Sequence, residues 1–492
     1  MLYAHEHFNC NVADKSIERQ TPAGRLSRFK CSSVYIAILS LILHSQFQFG
    51  NGFAFPFPPP FPGGKKYSIA NKEVTRPISY TLPESQAKII KKLDGFFGVI
   101  GPDKTHFQIK SLIDLFMSDG NIQGIFFKGG ELTYVKNFIR TEKVEFEEKH
   151  GRLPEHMFFR PLFMILHKLR IFPNIEGVAN TAIVNIHNKT YALYERDSPY
   201  LLDINFNTTQ IRTLKKISMK GTSCFSAHSK YSDSIETMDY DVATKSINYH
   251  QYDENFKWIR QKQIKTKHMP FVHDFLILKD KIIFVDAPFA LNFRNMFSCV
   301  LPILLNKMDK TIIQIVDKNT GVVESYVSDE SFFIFHYADC KEDDRYISIY
   351  ASMYDNLDFS DFNIAGKYRI LRLDKITKKV SFEKNDALEA VNLEFPIRFE
   401  NKIVFSNNSG FVVCNELDIL KQISFEDRHV CGEPVIKYIE NRPYLIAFMF
   451  HKSIRNKGFL MVIDLNTYEM IEIPFLETLN VGFHSIFMDR PL

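Results

Sequence analysis

From about residue 120 onward, apolar and polar positions alternate in short runs broken by Gly, Asn and Asp. "NIQGIFFKGGELTYVKNF" reads as two strands turned at Gly129-Gly130, and "TAIVNIHNKTYALYE" as two strands turned at Asn188-Lys189. "TIIQIVDKNTGVVESYV" turns at Asn319-Thr320-Gly321. "KYRILRLDKITKKVSFEK" and "GFLMVIDLNTYEMIEIPF" share one plan: an alternating strand, an Asp, a short turn and a second strand. Period-two runs with turn residues every 8–12 positions predict an all-β domain. About 370 residues of this pattern exceed a sandwich and suit a seven-bladed β-propeller at roughly 40–50 residues per blade. No clean internal repeat accompanies the pattern.

Two apolar stretches break the rhythm, "RPLFMILHKLRIF" (160–172) and "FALNFRNMFSCVLPILLNK" (289–307). Their bulky apolar residues with a few Lys and Arg fit loops and short helices capping the propeller. They equally fit an interfacial patch that dips into a membrane leaflet.

The N-terminal part has a different character. Val34 to Leu43 form an apolar run after Arg25, Arg28 and Lys30. Its length, about 10 residues, matches a signal-peptide core and falls short of the roughly 20 needed to span a bilayer. "FAFPFPPPFPGGKK" follows, too rich in Pro for helix or central strand. These features predict an extension over residues 1–66 (a signal, an anchor or a disordered tail) and a single β-propeller domain over 67–492.

Composition narrows the function classes. The 61 basic and 57 acidic residues nearly cancel, which argues against a dedicated nucleic-acid binder. The 46 Phe suit a large core and an apolar ligand tunnel. Seven Cys, at 10, 31, 224, 299, 340, 414 and 431, form neither a CxxC pair nor a disulfide framework. Free thiols favour a reducing, intracellular setting, peripheral to a membrane if the apolar patches are interfacial.

Among 16 His, four sit in apolar or small-residue surroundings: "CFSAHSK" (His228), "PFVHDF" (His273), "FFIFHYAD" (His336) and "VGFHSIF" (His484). His273 reads as part of a strand, with Asp274 on the opposite face and structural. Any one of them alone is ordinarily a core histidine hydrogen-bonded to backbone. Their separations of 45, 63 and 148 residues are near one, one and a half and three blades. In a propeller the innermost strand of each blade lines the central axis, so four such strands could bring four imidazoles to one point. Imidazole suits iron, copper, nickel and zinc.

These motifs, "SAHSK", "MPFVHDF", "FFIFHYAD" and "IPFLETLNVGFHSIF", resemble the four histidine motifs of the carotenoid cleavage oxygenase family. That family includes carotenoid and apocarotenoid dioxygenases, lignostilbene dioxygenases and the retinoid isomerase. "GIFFKGGELTYVKNFIRTEKVEFEEKHG", "GVANTAIVNIHNKTYALYERDSPYLLD", "NLEFP" and "GEPVI" resemble further family segments in the same order, from about residue 70 to the C-terminus. The resemblance implies a propeller with a cap of loops and short helices over a metal-bearing axis. It implies Fe(2+) held by His228, His273, His336 and His484. Glu195, Glu394 and Glu433 would orient His273, His336 and His484 respectively, leaving His228 unassisted, and no acid or base residue is expected.

The implied activity is oxidative cleavage of a carbon–carbon double bond in a carotenoid or apocarotenoid. O2 and a lipophilic polyene are the implied partners, and two carbonyl compounds the products. Cleavage of a stilbenoid and a retinoid-type isomerisation are alternatives on the same iron site. A non-catalytic, membrane-associated propeller is the alternative from another class. Departures bear on substrate choice: the family's Met near "DLFMSDGNIQG" is absent, "AHSKYSD" lacks a Pro, one Trp is present, and the animal Pro-Asp-Pro-Cys signature is missing.

Overall fold

The computed structural model describes residues 73–103, 112–151, 176–222, 224–291, 303–359 and 364–491, with isolated positions between 152 and 175. The expected extension over 1–66 lies outside the described residues, as do 292–302 and most of 160–172.

Seven antiparallel sheets of four or five strands form the blades of a β-propeller, with one extra two-stranded hairpin. Blade 1 is closed by the two ends of the domain. The C-terminal strand Ser485–Asp489 pairs with Gly95–Pro102, followed outward by Gly120–Lys128, Glu131–Phe138 and Val74–Ile78. The closing register runs from Gly95 opposite Asp489 to Val99 opposite Ser485. This pairing removes an open sheet edge from the ring. Blades 2 to 6 each run outward in chain order. Their inner strands are Ala182–Ile186, Lys230–Tyr231, Leu276–Leu278, Phe333–Glu342 and Glu394–Phe399. In blade 7 the inner edge is split: Arg428–Val430 and Val435–Ile439 both pair with Arg442–His451. Neighbouring inner strands pack together. Ser485–Asp489 touches Ala182–Ile186 and Val435–Ile439, and Phe333–Glu342 touches Leu276–Leu278 and Glu394–Phe399.

The repeated strand–Asp–turn–strand plan has a physical basis. Asp317, Asp374 and Asp464 each end the third strand of a blade, and each carboxylate accepts backbone N–H bonds two and three residues on. Such Asx turns tie off a strand using the side chain alone. Gly129 and Gly130 take positive φ (58° and 96°) between two blade-1 strands, as a tight hairpin requires.

Two expected positions shift. The blade-2 turn falls on His187-Asn188, both at positive φ, so Lys189 already starts the next strand. His273 lies just ahead of the strand Leu276–Leu278 rather than within it. Inner and second strands here are too short for the alternation pattern to fix their ends.

The 63-residue gap between His273 and His336 separates adjacent blades, because the hairpin Phe289–Leu291/Ile303–Leu305 is inserted within blade 4. With the short helix Leu112–Phe116, it forms part of the cap. Phe116 packs its ring against Phe335, Phe359 and Phe483. Beneath lies the largest apolar cluster, joining Phe289, Phe333, Phe335, Tyr354 and Phe359.

Candidate metal centre

Each blade places one ionisable side chain near the axis, on or beside its inner strand except in blade 2, where Glu195 follows the second strand, Lys189–Leu193. Blades 1, 3, 4 and 5 supply His484, His228, His273 and His336; blades 2, 6 and 7 supply Glu195, Glu394 and Glu433. The backbone is irregular at several of these positions. The pairing of Phe333–Glu342 shifts register on either side of Tyr337, and that of Glu394–Phe399 shifts between Glu394 and Ile397. Bulges of this kind redirect side chains out of the regular alternation. Glu433 occupies the interruption between the two inner segments of blade 7, where its N–H donates to the Phe483 carbonyl at 2.7 Å.

One ring nitrogen from each of the four histidines lies within 4.8 Å of the others. Nε2 of His228 is 2.9 Å from Nε2 of His484, and Nε2 of His336 is 3.2 Å and 3.3 Å from those of His273 and His484. The far nitrogens face carboxylates. Nδ1 of His273 is 2.5 Å from Glu195 Oε1, Nδ1 of His336 is 2.5 Å from Glu394 Oε2, and Nδ1 of His484 is 3.1 Å from Glu433 Oε2. An ionised carboxylate can only accept hydrogen bonds, so each pair puts N–H at Nδ1 and leaves the Nε2 lone pair aimed at the centre. No carboxylate is paired with His228 among the described contacts; its backbone N–H donates to Ser226 Oγ at 3.1 Å.

Without a metal, the electrostatics favour the neutral ring at His228 and His484 and the protonated ring at His336. Burial, then the neighbouring His484, His273 and His336, push the His228 pKa well below the usual imidazole value. Burial likewise lowers His484, against the pull of Glu433. For His336, burial pushes down but the Glu394 carboxylate outweighs it, and the pKa rises. Burial pushes Glu195 and Glu394 up, yet His273 and His336 hold both below the ordinary carboxylate range. Converging lone pairs repel unless a cation lies between them. This donor set, with three anionic acceptors behind it, fits one divalent transition metal.

Several further residues support the site, of which the sequence pointed only to Asp274, as structural. Asp274 takes a 2.7 Å ion pair from Lys230 and the backbone N–H of Tyr337 at 3.2 Å, tying blades 3, 4 and 5 together. Ser226 Oγ donates to the His273 carbonyl at 3.0 Å. The Thr181 hydroxyl reaches Glu195 Oε2 at 3.3 Å. Tyr354 donates to Glu394 Oε1. Phe335 stands edge-on to His273, and Phe395 packs on both His336 and His484. Phe395 holds φ at +49°, unfavourable for a bulky side chain and consistent with a functional constraint.

Comparison with known proteins follows this geometry. The sequence profile of the family described as "Retinal pigment epithelial membrane protein" matches residues 75–489. The carotenoid 9,10(9′,10′)-cleavage dioxygenase 1 of Phaseolus vulgaris is 23% identical over a 475-residue alignment, covering 80% of this chain and 84% of that protein. Its counterpart from Arabidopsis thaliana is 26% identical over 319 residues; the alignment spans 60% of this chain and just over half of that protein, 56%. Cobalt-substituted Synechocystis apocarotenoid oxygenase matches in structure with a TM-score of 0.65 at 17% identity, covering 85% of this chain and 96% of that one. A variant of the same oxygenase gives a TM-score of 0.67 at 16% identity with the same coverage.

Proposed function

Because this chain belongs to the retinal pigment epithelial membrane protein family, the family of the carotenoid cleavage oxygenases, we propose that it is a non-haem Fe(II)-dependent dioxygenase cleaving one double bond of a carotenoid or apocarotenoid. His228, His273, His336 and His484 would hold the iron, with Glu195, Glu394 and Glu433 orienting three of them. The observation that carries this reading is the partition of the blades, four presenting imidazole to one point and three placing a carboxylate behind one of those rings. Iron(II) bound there supplies the redox chemistry that activates O2.

The chain's own residues do the rest. Four neutral imidazoles offset none of the cation's charge, and the three glutamates balance it from behind. Phe335, Phe395 and Phe483 give the site an apolar, water-excluding wall in which a polyene is held and oriented. Their ring faces stabilise positive charge that develops along a conjugated chain. No side chain need move a proton for cleavage to two carbonyl products.

Contact with a membrane surface, the source of a lipophilic substrate, is assigned to 160–172 and 289–307. Leu291 is 49% exposed, and Met308, just past the second stretch, is 93% exposed. Among the described residues no helix is long and apolar enough to cross a membrane.

The test is to load the purified protein with Fe(II), offer carotenoids, apocarotenals, stilbenes and retinoid esters under 18O2, and identify the products. Two carbonyl products from a carotenoid or apocarotenal, both labelled, are expected. Turnover of stilbenes alone would move the chain to stilbenoid cleavage. Rearrangement of a retinoid ester without label would make it an isomerase.

A further inference from the structure

We propose that Tyr354 is a positioning residue of the metal centre, acting through Glu394 on His336; this rests on the reading that the four histidines hold a metal. Tyr354 ends the blade-5 strand Tyr346–Tyr354 and is 2% exposed. Its hydroxyl donates to Glu394 Oε1, while Glu394 Oε2 receives the Nδ1–H of His336 at 2.5 Å. Oε2 also accepts the Phe395 backbone N–H at 3.1 Å, whereas the Tyr354 hydroxyl is the donor found on Oε1 among the described residues. The other two carboxylates share parts of this plan without the phenol. Glu195 has the Thr181 hydroxyl at 3.3 Å, and one oxygen of Glu433 takes both His484 Nδ1 and the Ser485 N–H, the latter at 3.3 Å.

The seat of the phenol is built from its surroundings. Gly366 lies against both partners: a Cβ there would stand 2.6 Å from the Leu393 carbonyl oxygen, 3.1 Å from Glu394 Oε1 and 3.2 Å from Tyr354 Cζ. The strand end is pinned one residue on. Asp355 takes two bonds from Arg369, at 2.9 and 3.0 Å, and one from Lys367 at 2.8 Å. Arg369, 4% exposed, is fixed in turn by Glu389 at 2.7 and 2.8 Å. Phe335, next to His336, meets the Tyr354 ring edge-on at 5.0 Å.

The consequence is local and directional. A carboxylate with both oxygens bonded cannot rotate away from Nδ1–H, so the His336 ring keeps its tautomer and aim. Without the phenol, Oε1 is a buried acceptor without its donor, and the carboxylate is held through Oε2 alone, by His336 and the Phe395 N–H.

The test uses the full chain prepared metal-free, with Tyr354→Phe, Gly366→Ala and Tyr368→Phe. Tyr368 is a fully buried tyrosine of the same blade whose hydroxyl has no hydrogen-bond partner among the described residues, and it serves as the control. Fe(II) and Co(II) affinity would be measured by chelator competition, the ligand-field spectrum recorded on the Co(II) form, and thermal stability on the metal-free form. Tyr354→Phe is expected to bind metal about tenfold more weakly, with a changed Co(II) spectrum. Gly366→Ala should change affinity and spectrum in the same direction, and Tyr368→Phe should change neither. In a Glu394→Gln background, Tyr354→Phe should add little. Wild-type affinity and spectrum in Tyr354→Phe, even with lowered stability, would overturn the assignment. A wild-type protein that binds no metal at all would overturn the parent reading with it.

Discussion

Replacing each glutamate of the centre by glutamine in turn keeps shape and an acceptor oxygen but removes the charge. The bonds of Glu195 and Glu394 to imidazole Nδ1 are short, 2.5 Å, while that of Glu433 is 3.1 Å. A hydrogen bond to a charged group contributes about 1.5–3 kcal/mol against roughly 0.5–1.5 for a neutral one. Losing the charge at a short bond therefore costs about 1–1.5 kcal/mol of metal affinity, roughly tenfold in Kd. The longer Glu433 bond should give about a third of that fold-change, on the order of threefold. The assay is chelator competition on metal-free protein at pH 7.5, with Co(II) as a spectroscopic probe. The expected ranking is Glu195→Gln and Glu394→Gln well below wild type, with Glu433→Gln between. Three variants all equal to wild type would refute the claim that these carboxylates tune the histidines. Glu433→Gln as the worst of the three would refute the ranking by bond length.

Further outcomes follow from the same geometry. In the metal-free protein, His228 and His484 titrate below the ordinary imidazole pKa, so the unfolded chain binds protons first as pH falls below about 6.5. Stability should then drop on acidification from pH 7 to 5.5, partly offset by His336, whose raised pKa acts in the opposite sense. Denaturant melts at the two pH values check it, and greater stability at pH 5.5 would contradict it. Gly482→Ala would set a Cβ 2.4 Å from Val99 Cγ1, two residues before His484. A loss of about 1–3 kcal/mol in stability, together with weaker metal binding, is expected from denaturation and titration. Deleting residues 485–492 removes the strand paired with Gly95–Val99 and opens the ring. Cooperative thermal unfolding seen by calorimetry should be lost, and an intact sharp transition would contradict closure by the two ends of the domain.

The periphery of this fold was more legible than its centre. Middle strands announce themselves as apolar runs buried on both faces and outer strands by their exposed polar positions, and Asp317, Asp374 and Asp464 close the former with local side-chain bonds. Those interactions span two or three residues and so are written in order along the chain. The inner strands are short, bulged or split, as at Glu394–Phe399 and around Glu433, so alternation fails where the backbone is bent toward the axis. That is why His273 read as a strand residue and the blade-2 turn read one position late. The four histidines stood out as a set through resemblance, since their contacts join blades far apart in sequence. Glu394 and Glu433 stand beside Pro396 and Pro434 in stretches that look like exposed turns. Nothing in "ASMYDNL" marks Tyr354 as a partner of a glutamate 40 residues away. Such contacts are decided by how the ring closes, which no local pattern encodes.

The central claim is that four imidazoles from blades 1, 3, 4 and 5 enclose one metal ion. Diffraction from crystals of iron-loaded protein at the iron absorption edge tests it most directly. One anomalous peak per chain is expected, within bonding distance of Nε2 of His228, His273, His336 and His484 together. Absence of a peak there, or a peak bound by other residues, would contradict it.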